Sequence, residues 1–297
     1  MNVRSAGEKK FEFAAHIVMI LLCFLALIPF VLLIMASFTD EAAAVTNGYR
    51  FIPEQFSLKA YTYIFKEWMQ IGRAYMITII VTVAGTLASV IFTSMYAYGL
   101  SVKNVPGLKL VFMLTLFTML FNGGIVSTYY IYCNLIHIKN TLWALMIPGL
   151  LMNAFNVILV KNYIRSNIPG ELIEAAEIDG AGQFRIYFKM IMPLSTPIMA
   201  TIGLMSAVTY WNDWNNGLYY ITDNKLYSIQ QLLNQMNSNV QFLVNNASNL
   251  SGADLTNLPS VTIRMAIAVV AILPILCIYP FFQKYFAKGI TIGAVKG

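Results

Sequence analysis

The chain has 297 residues, 58% of them hydrophobic and 11% charged, with a formal net charge of +6. That balance excludes an ordinary soluble globular domain and fits a membrane protein. The basic residues lie between apolar stretches and not along one patch, which excludes a nucleic-acid surface and fits cytoplasmic loops.

Residues 17–38 are almost wholly apolar and follow Arg4, Lys9 and Lys10, as a leader peptide's apolar run would. The run is longer than a leader's and further spans follow, so it reads as a retained first helix. Residues 40–73 mix charge with Tyr49, Phe51, Tyr61, Tyr63, Phe65 and Trp68, the pattern of a short structured cap at the outer surface. Apolar stretches then occupy 74–100, 108–132, 141–160, 196–220 and 261–286, which makes six predicted spans in an all-α polytopic membrane protein. The excess of Lys and Arg falls on one side and places both termini in the cytoplasm. Residues 222–260 form a second outer segment, rich in Asn, Gln, Ser and Leu, whose sequons at Asn246 and Asn249 carry no weight in a bacterial reading. The predicted division is 1–39 for the tail and first helix, 40–73 for the outer segment and 74–297 for a core of five spans.

Nothing in the chain reads as catalytic. Cys23, Cys133 and Cys277 lack metal-ligand spacing and read as apolar fillers, and His16 and His137 join no acidic cluster, so no metal is expected. There is no HExxH, no nucleophile beside a base and no GxxxxGK[ST] cradle, so nucleotide hydrolysis belongs to another polypeptide. An ion-coupled secondary transporter is the main alternative. It calls for several ionisable groups inside the membrane, and Asp213 is the one acid within a predicted span.

The segment 161–195, between the fourth and fifth spans, is long for a connection in a helical bundle. Pro169 followed by Glu171 and Glu174 predicts a helix start, and Gly180 predicts a left-handed cap at its end. Leu172, Ala175, Ala176 and Asp179 fall on one face, with Glu171, Glu174 and Glu177 as an acidic stripe on another. A second amphipathic stretch, 184–192, ends at Pro193. Such a shape suits insertion into a groove on a soluble partner, with a surface amphipathic connector as the lesser reading.

The run Glu174-Ala175-Ala176, Asp179-Gly180-Ala181, then Phe188, Pro193 and Pro197 resembles the EAA loop of permease subunits in ATP-binding-cassette importers. Asn122-Gly123-Gly124, Thr128-Tyr129, Leu142-Trp143-Ala144-Leu145, Pro148-Gly149, Trp211-Asn212-Asp213 and the tail 287–297 resemble the carbohydrate-uptake branch, in particular the second subunit of maltose-type importers. The resemblance implies a type I importer permease fold with a cytoplasmic coupling helix. Its implied partners are a sister permease, two ATPase subunits that carry ATP and Mg, an extracytoplasmic binding protein and membrane lipid, with no cofactor on this chain. It implies that Glu174 meets a basic group of the ATPase, that Ala175 and Ala176 permit close approach, that Asp179 fixes the turn by hydrogen bonding and that Gly180 and Ala181 shape it. The implied substrate is an oligosaccharide, acidic ones such as alginate or pectin fragments included.

A sugar path needs amides and aromatic rings inside the membrane, where they are costly against lipid. Asn122 and Tyr129 in the third span, Asn153 and Asn156 in the fourth, and Tyr210, Trp211 and Asn212 in the fifth are the candidates. The same amides suit helix-to-helix hydrogen bonds, and aromatic residues near a helix end suit an interfacial belt, to which Tyr219 and Tyr220 are assigned.

Overall fold

The computed structural model describes residues 6–102, 105–245 and 261–294, which are helical with no β-strand among them. Arg4, both sequon asparagines and the end of the tail at 295–297 lie outside the described residues. The chain forms two compact units, Met1–Met69 with Gln235–Leu273, and Gln70–Asn234 with Pro274–Gly297.

The first unit begins with α1 (Ala6–Ser37), exposed along most of its apolar length, as a lipid-facing helix should be. Phe38 then turns the chain, its ring stacking on Phe56 and Tyr61 with centroids 5.3 and 5.0 Å away. Asp40 accepts from the Ala42 N–H at 3.1 Å and so starts α2 (Glu41–Asn47). The same carboxylate accepts from Lys59 Nζ at 3.0 Å at the start of α3 (Lys59–Lys66), and that bond holds it below the usual carboxylate range. The stretch expected as a cap over 40–73 holds two short helices tied by this ion pair, and the next long helix already begins at Trp68, before the boundary expected at 74. Glu41 reaches across 220 residues to accept from the Val261 N–H (2.8 Å) and the Thr262 N–H (3.0 Å), capping the terminal helix Val261–Ala294 with negative charge.

The second unit is built on α4 (Trp68–Gly99), whose Thr78, Gly85, Ser89, Thr93 and Ala97 are buried. There follow α5 (Leu108–Leu120) and α6 (Gly124–Tyr130), the latter running into a π-turn at Ile131–Leu135. Next come α7 (Leu142–Met146), α8 (Ala154–Asn167) and α9 (Gly170–Ile178). The chain then forms α10 (Gln183–Ile186), a second π-turn (Tyr187–Ile191) and α11 (Met192–Leu194). Then come α12 (Thr196–Asn212), α13 (Asn215–Tyr220) and the start of α14 (Ile229–Asn245). Small residues let α4 and α12 approach closely. The Ser89 and Ser206 hydroxyls meet at 3.3 Å, and the Tyr210 ring lies over Gly85. At one end of the unit, Ala97, Val157, Val160, Ile164, Ile186 and Ile202 form one buried cluster.

Within α1 the stretch Lys10–Ser37, and α4 entire, are each long and apolar enough to cross a bilayer. Two bent pairs join them: Leu108–Leu120 with Gly124–Leu135, turned by 118°, and Gln183–Leu194 with Thr196–Asn212, turned by 82°. The third predicted span is therefore not one straight helix. Phe121 leaves the helix in an extended conformation, Gly124 takes φ +78°, and the Asn122 side chain accepts from the Gly124 N–H at 2.9 Å. The fourth also breaks, because Pro148 has no N–H to donate and Gly149 turns at φ +70° before helix resumes at Ala154. The fifth stops at Asp213, whose carboxylate accepts from the Asn216 N–H at 3.3 Å to start α13. Freed carbonyls at these breaks find partners across the unit: Tyr210 Oη donates to Met146 O at 2.9 Å and Asn216 Nδ2 to Pro148 O at 3.0 Å.

Candidate functional site

At one end of the second unit, α9 follows Pro169, which is extended at φ −60° and ψ 134° and precedes the first helical residue. Ile173 and Ala176 pack on this buried cluster of Ala97, Val160 and Ile164, whereas Glu171, Leu172, Glu174, Ala175, Glu177, Ile178 and Asp179 are exposed. The expected small-residue face is thus split: Ala176 turns inward, and Leu172, Ala175 and Asp179 remain outside. Gly180 sits at φ +78°, with the Gly180 N–H on Glu177 O (3.0 Å) and the Ala181 N–H on Ala176 O (2.9 Å), a Schellman closure. The turn is held by these backbone bonds and by Gln183 Nε2 donating to Glu177 Oε1 at 2.7 Å. No hydrogen bond to the Asp179 carboxylate contributes among the described residues, which corrects the role expected for it.

Beside α9 opens a cavity of about 660 Å³ whose wall includes Tyr98, Arg165, Ile168, Ile173, Glu174 and Glu177. Ile178, 87% exposed at the end of α9, and Phe184, 70% exposed in α10, flank the connection that follows the helix. An exposed helix carrying acids and large apolar residues beside a cavity is an arrangement for docking, not for chemistry.

The glycine geometry has a direct consequence. Gly180→Val is expected to destabilise the purified chain by about 1–3 kcal/mol, since a β-branched residue is strained at positive φ. Gly182→Ala is expected to be near neutral, because Gly182 has φ −69° and nothing lies within 4 Å of an added Cβ. Thermal unfolding in detergent checks the pair, and equal losses would contradict the Schellman assignment.

The residues expected on the sugar path are placed less uniformly. Asn122 and Asn153 cap chain breaks, Asn153 accepting from the Phe155 N–H at 2.8 Å, so their amide oxygens already serve the backbone. Asn156, Tyr210 and Trp211 are buried. Asn212 is exposed, its amide donating to Val208 O at 2.9 Å. Tyr129 is half-buried and stacks on Tyr220, centroids 5.9 Å apart. Tyr220 itself is 2% exposed, which removes it from the expected interfacial belt; Tyr219, 42% exposed, remains available to one.

Sequence reasoning missed the knot around Asn140, which sits at φ +56°. Its side-chain oxygen accepts from the Thr222 and Asp223 N–H groups at 2.6 and 3.1 Å. The available signal was the tolerance of asparagine for left-handed backbone in a short polar connection.

The family described as "Binding-protein-dependent transport system inner membrane component" matches residues 100–292. The chain is 38% identical to the polygalacturonan/rhamnogalacturonan transport system permease protein YtcP of Bacillus subtilis, over 98% of this chain and 99% of that protein. It is 31% identical to the melibiose/raffinose/stachyose import permease protein MelC of the same organism, over 78% of each. Among solved structures it resembles a chain of a bacterial ABC transporter involved in the import of the acidic polysaccharide alginate. That likeness has a TM-score of 0.79 at 30% identity and covers 96% of this chain and 100% of the other.

Proposed function

This chain belongs to the family of binding-protein-dependent transport system inner membrane components, and from that premise we propose that it carries an anionic oligosaccharide. It is the permease subunit of an ATP-driven sugar importer and not an enzyme. The observation that carries the anionic substrate is end-to-end likeness to a polygalacturonan/rhamnogalacturonan permease, joined by structural likeness to an alginate importer. In this reading the chain pairs with a sister permease, receives sugar from an extracytoplasmic binding protein and is driven by two ATPase subunits that hold ATP and Mg.

Within that assembly α9 is the coupling helix. Glu174 offers its carboxylate to a basic group of the ATPase, Ala175 lets the partner close on the helix, and Ala176 and Ala181 fasten it to the permease. The exposed apolar Ile178 and the positive-φ turn at Gly180 support this assignment. Six crossings, with both termini in the cytoplasm, comprise α1, α4, the broken segments α5–α6, α7–α8 and α12–α13, and the terminal helix. Broken helices at membrane depth occur where backbone is buried in protein or lines a cavity, and in this reading the path runs past the exposed or half-buried Asn122, Tyr129, Asn153 and Asn212, with Asn156, Tyr210 and Trp211 behind them.

ATP hydrolysis by the reconstituted complex, with binding protein present, tests the substrate class. Stimulation by trigalacturonate above that by galactotriose is expected. Stimulation by the neutral trisaccharide alone would contradict an anionic substrate.

A further inference from the structure

Lys139 stands on the short connection between α6 with its π-turn and α7, exposed to solvent. Arg50 pairs with Glu54 and Lys59 with Asp40, whereas among the described residues no acid lies against Lys139. Its ammonium instead donates to Tyr129 Oη at 3.1 Å and lies 5.7 Å from that ring's centroid. Because the Tyr129 oxygen accepts this bond, its own O–H remains a donor, so an ammonium donor and a hydroxyl donor stand side by side.

Both groups are held in place. Tyr129 is stacked on buried Tyr220, which Tyr132 meets edge-on. The connection carrying Lys139 is pinned by the neighbouring Asn140, through Thr222 and Asp223 and through the Asn140 N–H on Tyr220 O at 3.1 Å. An ammonium bonded to a stacked phenol, with no acid against it among the described residues, matches a carboxylate, which accepts at both oxygens. Preorganisation also lowers the cost of ordering such a site on binding.

We infer that Lys139 and Tyr129 form a two-donor site for the carboxylate of a uronate unit, and thereby set the preference of this permease for acidic sugar. This rests on the anionic substrate proposed above and names the residues of this chain that select it.

The test is uptake by proteoliposomes of the complete importer, comparing trigalacturonate with its fully methyl-esterified form. Wild type is expected to prefer the acid, Lys139→Gln to reduce that preference roughly tenfold, Tyr129→Phe to reduce it less, and Lys139→Arg to retain it. An unchanged preference in Lys139→Gln overturns the inference, as does an equal loss on both sugars, which would mark Lys139 as a contact for the binding protein or for packing. The same anion chemistry occurs in lipid phosphate, so uptake is compared in phosphatidylcholine with and without phosphatidylglycerol. A defect seen only with the anionic lipid overturns the sugar site, and the same defect in both supports it. If wild type takes up the ester and not the acid, the proposed substrate class fails before Lys139 is tested.

Discussion

Glu174→Lys is expected to leave the chain inserted and assembled while lowering substrate-stimulated ATP hydrolysis by roughly tenfold to a hundredfold. Glu174 lies on the outward side of α9, beside the cavity that also exposes Arg165 and Glu177, so replacing it leaves the buried cluster beneath Ile173 and Ala176 intact. In the coupling reading its carboxylate faces a basic group in a closed cleft. Losing a charged hydrogen bond costs about 1.5–3 kcal/mol, and each 1.36 kcal/mol is about tenfold, so like-charge contact carries the effect to the upper end. Hydrolysis by the reconstituted complex is the readout. Stimulation at wild-type level would remove Glu174 from the coupling contact.

The largest effect on folding is expected at Gly85. A Cβ added there would lie 2.6–2.9 Å from the Tyr210 ring, closer than atoms can stand. The ring cannot step aside easily, since Tyr210 is 3% exposed and its hydroxyl is held by Met146 O. Overpacking of this kind costs typically about 1–3 kcal/mol, and Gly85→Leu adds three further carbons to the same contact. Its yield in membranes and its unfolding temperature should therefore fall well below wild type. Gly85→Ala combined with Tyr210→Leu should recover much of the loss that Gly85→Ala suffers alone. If Gly85→Leu unfolds at the wild-type temperature, the close approach of α4 and α12 is wrong.

The turn at the end of α9 was legible because its signals are local: a proline before the helix, glutamates in its first turns and a glycine where φ must be positive. The breaks inside the third and fourth spans were not read, although Asn122-Gly123-Gly124 and Pro148-Gly149 advertise them. Hydropathy is equally high on both sides of each break, so a composition window sees one span where the backbone turns. Neighbouring tyrosines show a different limit. Tyr219 and Tyr220 have the same chemistry, and only packing against Tyr129 and Tyr132 decides that Tyr220 is interior. The cap of Glu41 on the terminal helix spans 220 residues, and no periodicity or motif encodes so distant a contact.

The energy source separates an ATP-driven permease from the ion-coupled alternative, and Asp213 is too sparse a set of ionisable groups for the latter. The most direct measurement is trigalacturonate uptake into proteoliposomes holding this chain, its sister permease and the ATPase subunits, with binding protein outside. Uptake is expected to require ATP and Mg on the ATPase side, to require the binding protein, and to persist when an ionophore collapses proton and sodium gradients. Uptake that proceeds without ATP and stops with the ionophore would contradict the account.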